Sequence, residues 1–310
     1  MLPYSLAGAM KQRCTLEEIK ASCKSPLASP LEPASDVIDG LDISPFVALV
    51  GQEMFDLIVE NAPKKVMTRV GMALRHFTMA ERLVGVDDDM GAIRLIAAEE
   101  ELVVAIFEWL KLNAASMPEH GDFIRRYKNH LVKLAFYPVI WQMRIVLEDM
   151  VSHGITLEGL EDVLHWGVKT VRAGDRISLR IANAAGETVR DHNPLALAIT
   201  LDGKTDEEVL ESLYEQFKET VLQQHAMTVR EFVGTRADFR NKLLYAEDGQ
   251  VHSMAESLRF LIDEVFKPTL RDLLWCLAVL LTNEPAARNW GLVSQFVSLY
   301  RMVLSTSKAI

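Results

Sequence analysis

Three short stretches of this 310-residue chain combine residue types that could hold phosphate or move protons. The first is Ala97-Ala98-Glu99-Glu100-Glu101-Leu102, an acidic triplet inside an otherwise apolar run. At about 100° per residue, three consecutive acids sweep about 200° of a helix, so at least one of them approaches the apolar flank. An acid there needs a basic partner, because an unpaired buried carboxylate is strongly destabilising. Glu99 and Glu100 are therefore candidate binding residues. The second stretch is Arg125-Arg126-Tyr127-Lys128-Asn129-His130, continuing to Lys133. Arg126 and His130 are spaced i,i+4 and share a helix face. Histidine is the usual general acid or base near neutral pH, and a nearby arginine can hold a phosphate or stabilise a charged transition state. Lys128 and Lys133 add positive charge beside them. The third stretch is Arg236-Ala-Asp-Phe-Arg240-Asn241-Lys242-Leu-Leu-Tyr245, which ends in Ala-Glu-Asp-Gly249. Arg236 and Arg240 form one i,i+4 pair, and Asn241 and Tyr245 form the next. The pattern lines two guanidiniums, an amide and a phenol along one helix edge. Complementing a helix dipole explains Arg240 and Lys242 but not the Asn and the Tyr.

The elements that must position these groups read as helices. From about Ala48 the apolar residues recur at helical spacing. Val47–Val59 carries Val47, Val50, Met54, Leu57 and Ile58 on one stripe, and Lys65–Val84 carries Val66, Val70, Leu74 and Phe77. Asp87–Asp89 supplies N-cap chemistry for a helix over Met90–Leu112. Phe123–Met150 is expected as one helix kinked at Pro138. Asp206–Gln224, Thr228–Leu244, Met254–Leu281 (interrupted near Pro268) and Asn289–Ser305 complete the helices. The stretch His153–Gly203 reads as an insertion or loop-bearing hairpin between two helical halves. Within it Leu195–Leu201, an apolar run ahead of Asp202-Gly203, is the one strand candidate. Five of the 11 prolines fall in the first 45 residues, which makes 1–45 a flexible Pro/Ser-rich arm with one short helix expected around Leu16–Cys23.

Composition excludes several classes. With 49% hydrophobic and 25% charged residues, wholesale disorder is excluded. Lys plus Arg is 33 against 43 Asp plus Glu, a net charge of −10, so a broadly basic nucleic-acid binder is excluded while a local basic cleft is not. Cys14, Cys23 and Cys276 are too scattered for a disulfide framework or a zinc site, and a cytoplasmic location is expected. The longest apolar run near the C-terminus, Leu273–Leu281, is about half of what a membrane-spanning helix needs, so no membrane association is expected. A carboxylate-bridged di-metal bundle needs Glu-x-x-His pairs, and the sequence has none. No metal and no cofactor are expected.

The three stretches together resemble the HEPN superfamily, whose RNases carry an Arg-x4-6-His motif, often with Asn, Asp or His directly after the Arg. Arg240-Asn241-Lys242-Leu243-Leu244-Tyr245 fits that frame, with Tyr where the His would stand. More narrowly the chain looks like the AbiV-type abortive-infection branch. The matching stretches are Ala80-Glu-Arg-Leu, Ala92-Ile-Arg-Leu-Ile-Ala-Ala-Glu99-Glu100, Lys128-Asn-His130-Leu-Val-Lys133 and Arg240 to Gly249. The resemblance covers about Val66–Gly249, with His153–Gly203 unmatched. It implies an all-α fold: a HEPN-like helical bundle over 46–250 with the 153–203 insertion, followed by a C-terminal helical extension over 251–310. It implies phage defence, with metal-independent RNA cleavage to arrest translation or, alternatively, non-catalytic sensing of a phage or cellular partner. RNA, a phage protein activator and a second copy of the chain are the implied partners. His130, Arg240, Asn241, Tyr245 and Arg126 would be catalytic, and Glu99, Glu100, Lys128, Lys133 and Arg236 would bind or form a polar network.

Overall fold

A computed structural model describes residues 35–114, 120–124, 129–152, 167–182, 185, 187–201, 203–244, 256–283 and 291–308. Helix α1 (Ser44–Val50) and α2 (Gln52–Asn61) are separated by Gly51, whose φ of +84° breaks the single helix expected over Val47–Val59. Helix α3 (Lys64–Leu83) and α4 (Asp88–Leu112) form a hairpin across a four-residue link. Asp87 caps α4 by accepting a hydrogen bond from the Met90 amide. Arg69 meets Glu101 and His76 meets Arg94, so seven steps forward along α3 match seven steps back along α4. The pair is antiparallel and in strict register.

Helix α4 is buried on almost every side, from Gly91 to Leu110. It is the axis of the molecule, with α3 packed along it and the later helices closing around it. Helix α5 (His130–Leu134) and α6 (Phe136–Ser152) replace the expected kinked helix with a break at Ala135. The physical reason is Pro138, whose ring would clash with the carbonyl of Leu134 in a continuous helix. Starting a new helix at Phe136 puts the proline in a first turn, where its missing N–H costs nothing. Helix α7 (Asp206–His225) opens with a Thr205–Glu208 capping box, and α8 (Val229–Leu244) follows. The C-terminal helices are α9 (Leu258–Phe260), α10 (Lys267–Thr282) and α11 (Leu292–Thr306). The interruption near Pro268 is a π-helical segment, Leu261–Phe266, where the Lys267 amide reaches back to Ile262 and the wider turn accommodates the proline ring.

The fold is mainly helical rather than purely so. Within the stretch read as a loop-bearing insertion, β1 (Gly167–Ala173), β2 (Arg176–Ala182) and β3 (Thr188–His192) form an antiparallel sheet in the order β1-β2-β3. Ala173 pairs with Arg176 across a two-residue turn in which Gly174 takes φ +67°, as a primed hairpin turn demands. Leu195–Leu201, expected as a strand, is not one. Pro194–Ala196 makes a 3-10 turn, and Ile199 has both of its backbone groups taken by a side chain. Its N–H donates to Gln295 Oε1 and its carbonyl accepts from Gln295 Nε2, each at 2.8 Å. The amide of α11 stands where a neighbouring strand would. The packed structure also begins before residue 46: Ser35–Ile38 is a 3-10 turn whose Ile38 is buried against Gly71. The helix expected at Leu16–Cys23 lies outside the described residues.

No helix among the described residues is long and apolar enough to cross a membrane. No group of three or more His, Cys, Asp or Glu among them is placed to hold a metal ion.

Candidate functional site

The acidic triplet on α4 sends each carboxylate to a different helix. Glu99 Oε1 accepts from Arg236 of α8 at 2.7 Å. Glu100 accepts from Lys133 Nζ at 2.6 Å and from His130 Nδ1 at 2.7 Å, both on α5. Glu101 accepts from Arg69 of α3 at 3.0 Å. The helical rotation of about 100° per residue makes this three-way division unavoidable once α4 is surrounded. Side-chain exposure falls from 22% at Glu101 through 9% at Glu100 to 1% at Glu99. Burial pushes the Glu99 carboxyl above its ordinary range, and the charge and hydrogen bond of Arg236 pull it back down.

Arg236 performs a second task. Its Nε donates to the carbonyl of Leu134 at 3.1 Å. Leu134 stands four residues before Pro138, which has no N–H to return an i,i+4 bond. Arg236 supplies the missing donor and so joins α8 to the α5–α6 break and to α4. Asn129 caps α5 by accepting from the Leu131 amide, which fixes His130 as the first residue of that helix. His130 is half-exposed, with a side-chain exposure of 52%.

The hydrogen bonds assign the imidazoles. A carboxylate only accepts, so His130 Nδ1 carries its hydrogen toward Glu100. On the opposite flank of α4, Arg94 donates to His76 Nδ1 at 3.2 Å. A guanidinium only donates, so the hydrogen of His76 sits on Nε2. Burial first, and then the charge of Arg94, hold the pKa of His76 below its ordinary value. A third histidine contact lies under α11. There His120 Nε2 is 3.0 Å from Ser294 Oγ, and Arg301 donates to His120 Nδ1 at 3.4 Å. The arginine puts the hydrogen on Nε2, facing the serine. That tautomer cannot take the serine's proton, so the contact is a latch rather than a nucleophile–base pair.

The ten expected site residues divide unevenly. Glu99 and Arg236 meet, and Glu100, His130 and Lys133 meet. Asn241 is exposed on α8. Arg126, Lys128, Tyr245 and the side chain of Arg240 lie outside the described residues. Sequence reasoning missed Arg69, Arg94 and His76 as members of the site. The four-residue link between α3 and α4 was the available signal, because a hairpin that short fixes which residues face each other.

No family model matches the chain, and neither a curated relative nor a solved structure matches it. The likeness to HEPN proteins therefore rests on the motifs alone.

Proposed function

We propose that this chain is a non-catalytic helical interaction protein of HEPN-like type, acting in phage defence, whose polar network locks the helices around α4 in register. One observation carries the non-catalytic part: the three described cations that meet the acidic triplet beside His130 are each held by a carboxylate. Lys133 is held by Glu100, Arg236 by Glu99, and Arg69 by Glu101. A nucleic-acid phosphate would have to displace a carboxylate from a partly dehydrated pair, which is unfavourable at both ends. The defence role comes from the motif resemblance, as does pairing with a second copy.

The Glu100–His130 bond favours a second reading, metal-independent RNA cleavage. A carboxylate on Nδ1 fixes the tautomer in which Nε2 can take a proton from a 2′-hydroxyl as that oxygen attacks the adjacent phosphorus and the 5′-oxygen departs, protonated by water, to leave a 2′,3′-cyclic phosphate. The test separates the two. Purified protein is incubated with single-stranded and structured RNA in the presence of a chelator, beside His130→Ala and Arg240→Ala. The leading reading expects no cleavage above the variants, together with a phage or cellular protein that co-purifies from infected cells and arrests translation only then. Cleavage by the parent protein that both variants lose, with folding intact, replaces it by the second.

A further inference from the structure

We propose that the end of the molecule where the α3–α4 link meets α9 is a docking surface for a basic amphipathic segment of a partner protein. The inference goes beyond the function proposed above and holds whether or not the chain acts on RNA. It starts from Val86, whose 78% exposure is the highest among the described large apolar residues. Asp87 is the N-cap of α4, so Val86 stands where an apolar residue often closes a staple onto the fourth residue of the helix. That fourth residue is Gly91, which has no side chain to meet it. The space beside Gly91 belongs to Leu258 of α9, since a Cβ there would lie 2.1 Å from Leu258 Cδ2. The Leu258 amide donates to Asp88 Oδ2 at 3.3 Å, which seats α9 on the first turn of α4. Val86 is left facing outward, with Met90 37% exposed on that same turn and Phe260 46% exposed on α9.

Single exposed apolar side chains are ordinary, but three of the eight that the described residues contain lie at this one end. The link that presents Val86 is also pinned. The Gly85 amide donates to Asp88 Oδ1 at 2.8 Å, the Val86 and Asp87 amides both donate to the Leu83 carbonyl at 2.9 Å, and the Met90 amide donates to Asp87 Oδ1 at 3.0 Å. A surface ordered before it binds loses little conformational entropy on binding, which suits an interface. Charge selects the partner. Residues 81–90 carry four acids and one arginine, and residues 256–264 carry three acids and one arginine. Both arginines act on acids of this chain, Arg82 on Asp42 and Arg259 on Asp263. In sequence, residues 245–255 add Glu247 and Asp248 and no Lys or Arg. Apolar side chains with an acidic surround complement apolar anchors flanked by lysine or arginine, and they repel a nucleic acid or an anionic lipid surface.

The probe is a short fluorescein-labelled peptide of leucine and lysine, patterned as an amphipathic helix, titrated into the full chain and read by fluorescence anisotropy. A leucine–glutamate peptide of the same pattern is the control. The parent protein is expected to bind the lysine peptide about tenfold more tightly than the glutamate peptide, with the difference shrinking as salt is added. Val86→Ser and Phe260→Ser are each expected to weaken binding by about fivefold or more at an unchanged unfolding temperature, because both positions are exposed. Leu222→Ser and Val189→Ser, at exposed apolar positions elsewhere, are expected to leave it unchanged. Equal affinity for the two peptides, or full-strength binding by either patch variant, overturns the proposal. So does an equal loss in the Leu222 and Val189 variants, which would reduce the binding to general stickiness. Sedimentation velocity is run in parallel. Self-association that Val86→Ser abolishes also overturns the proposal, by assigning the patch to a second copy of the chain. Neither measurement involves RNA, so its outcome is distinguishable from that of the cleavage test.

Discussion

Two arginine–carboxylate contacts in this molecule are equally short and differ in nearly everything else. Arg236 meets Glu99 at 2.7 Å beside the central helix, where Glu99 is 1% exposed. Arg180 meets Asp191 through two bonds of 2.8 Å across β2 and β3, with 37% and 31% of the two side chains exposed. The acids respond in opposite directions. At Glu99 desolvation outweighs the partner and the pKa rises. At Asp191 the Arg180 hydrogen bond outweighs desolvation and the pKa falls. Geometry is thus a poor guide to what a pair contributes, and the water that each member has given up is a better one. The buried pair is costly to break and holds three helices together. The exposed pair decorates a sheet that other contacts anchor, among them the Asn283 amide donating to the Ile177 carbonyl at 3.0 Å.

The largest expected effect comes from breaking the buried side. Arg236→Met leaves Glu99 without its counter-charge and Leu134 without its donor, and is expected to cost about 3–5 kcal/mol in urea unfolding. A loss below about 1 kcal/mol would mean that Glu99 is solvated by other means and that the contrast drawn above is wrong. Adding Glu99→Leu to Arg236→Met removes the stranded acid. The double variant is expected to regain most of the loss, stopping short by the share that belongs to the Leu134 carbonyl. A double variant as unstable as the single one would place the whole effect on that carbonyl.

Next in size is a pH effect that both regions share. His76 on the helical side and His192 on the sheet have pKa values lowered first by burial, from an ordinary value of 6.5. Between the lowered value and 6.5 the unfolded chain binds the proton and the folded chain does not. Acidification through that window therefore favours unfolding. Glu99 works in the other direction, since its raised pKa lets the folded chain take up a proton more readily as pH falls. The histidine contributions are isolated by substitution. His76→Gln keeps an acceptor for Arg94, and His192→Leu removes an Nε2 that is buried without a hydrogen-bond partner. Each is expected to flatten the fall in unfolding temperature between pH 7 and pH 5. Curves parallel to the parent's would show that neither imidazole is held neutral by the fold.

The same contrast explains what could be read from the sequence. The helical half is legible because burial there repeats at helical spacing: the helix expected at Met90–Leu112 is found at Asp88–Leu112. The need of the acidic triplet for basic partners is legible too, from helical rotation alone. The identity of those partners is not, because Arg236 lies 137 residues from Glu99 and Arg69 lies 32 from Glu101. The sheet is illegible for a different reason. In β3 only His192 is buried, and the other four residues are exposed, so no apolar alternation exists to be seen. The strand expected at Leu195–Leu201 fails because extended apolar residues do not reveal what will take their backbone bonds. Here that is Gln295, 96 residues away from Ile199.

The smallest effect tests the exposed side of the comparison. Arg180→Ala removes a contact made of two bonds of 2.8 Å each. Both partners remain hydrated and keep water as an alternative, and holding two side chains in one geometry offsets part of their attraction. The expected outcome is a slight fall in unfolding temperature at low ionic strength that vanishes in molar salt, where exposed charges are screened. Arg236→Met serves as the internal standard, because its loss persists in salt. If Arg180→Ala proved as damaging as Arg236→Met in both conditions, bond length would have outweighed burial. The sheet would then be held by its surface pair rather than by its contacts with α10.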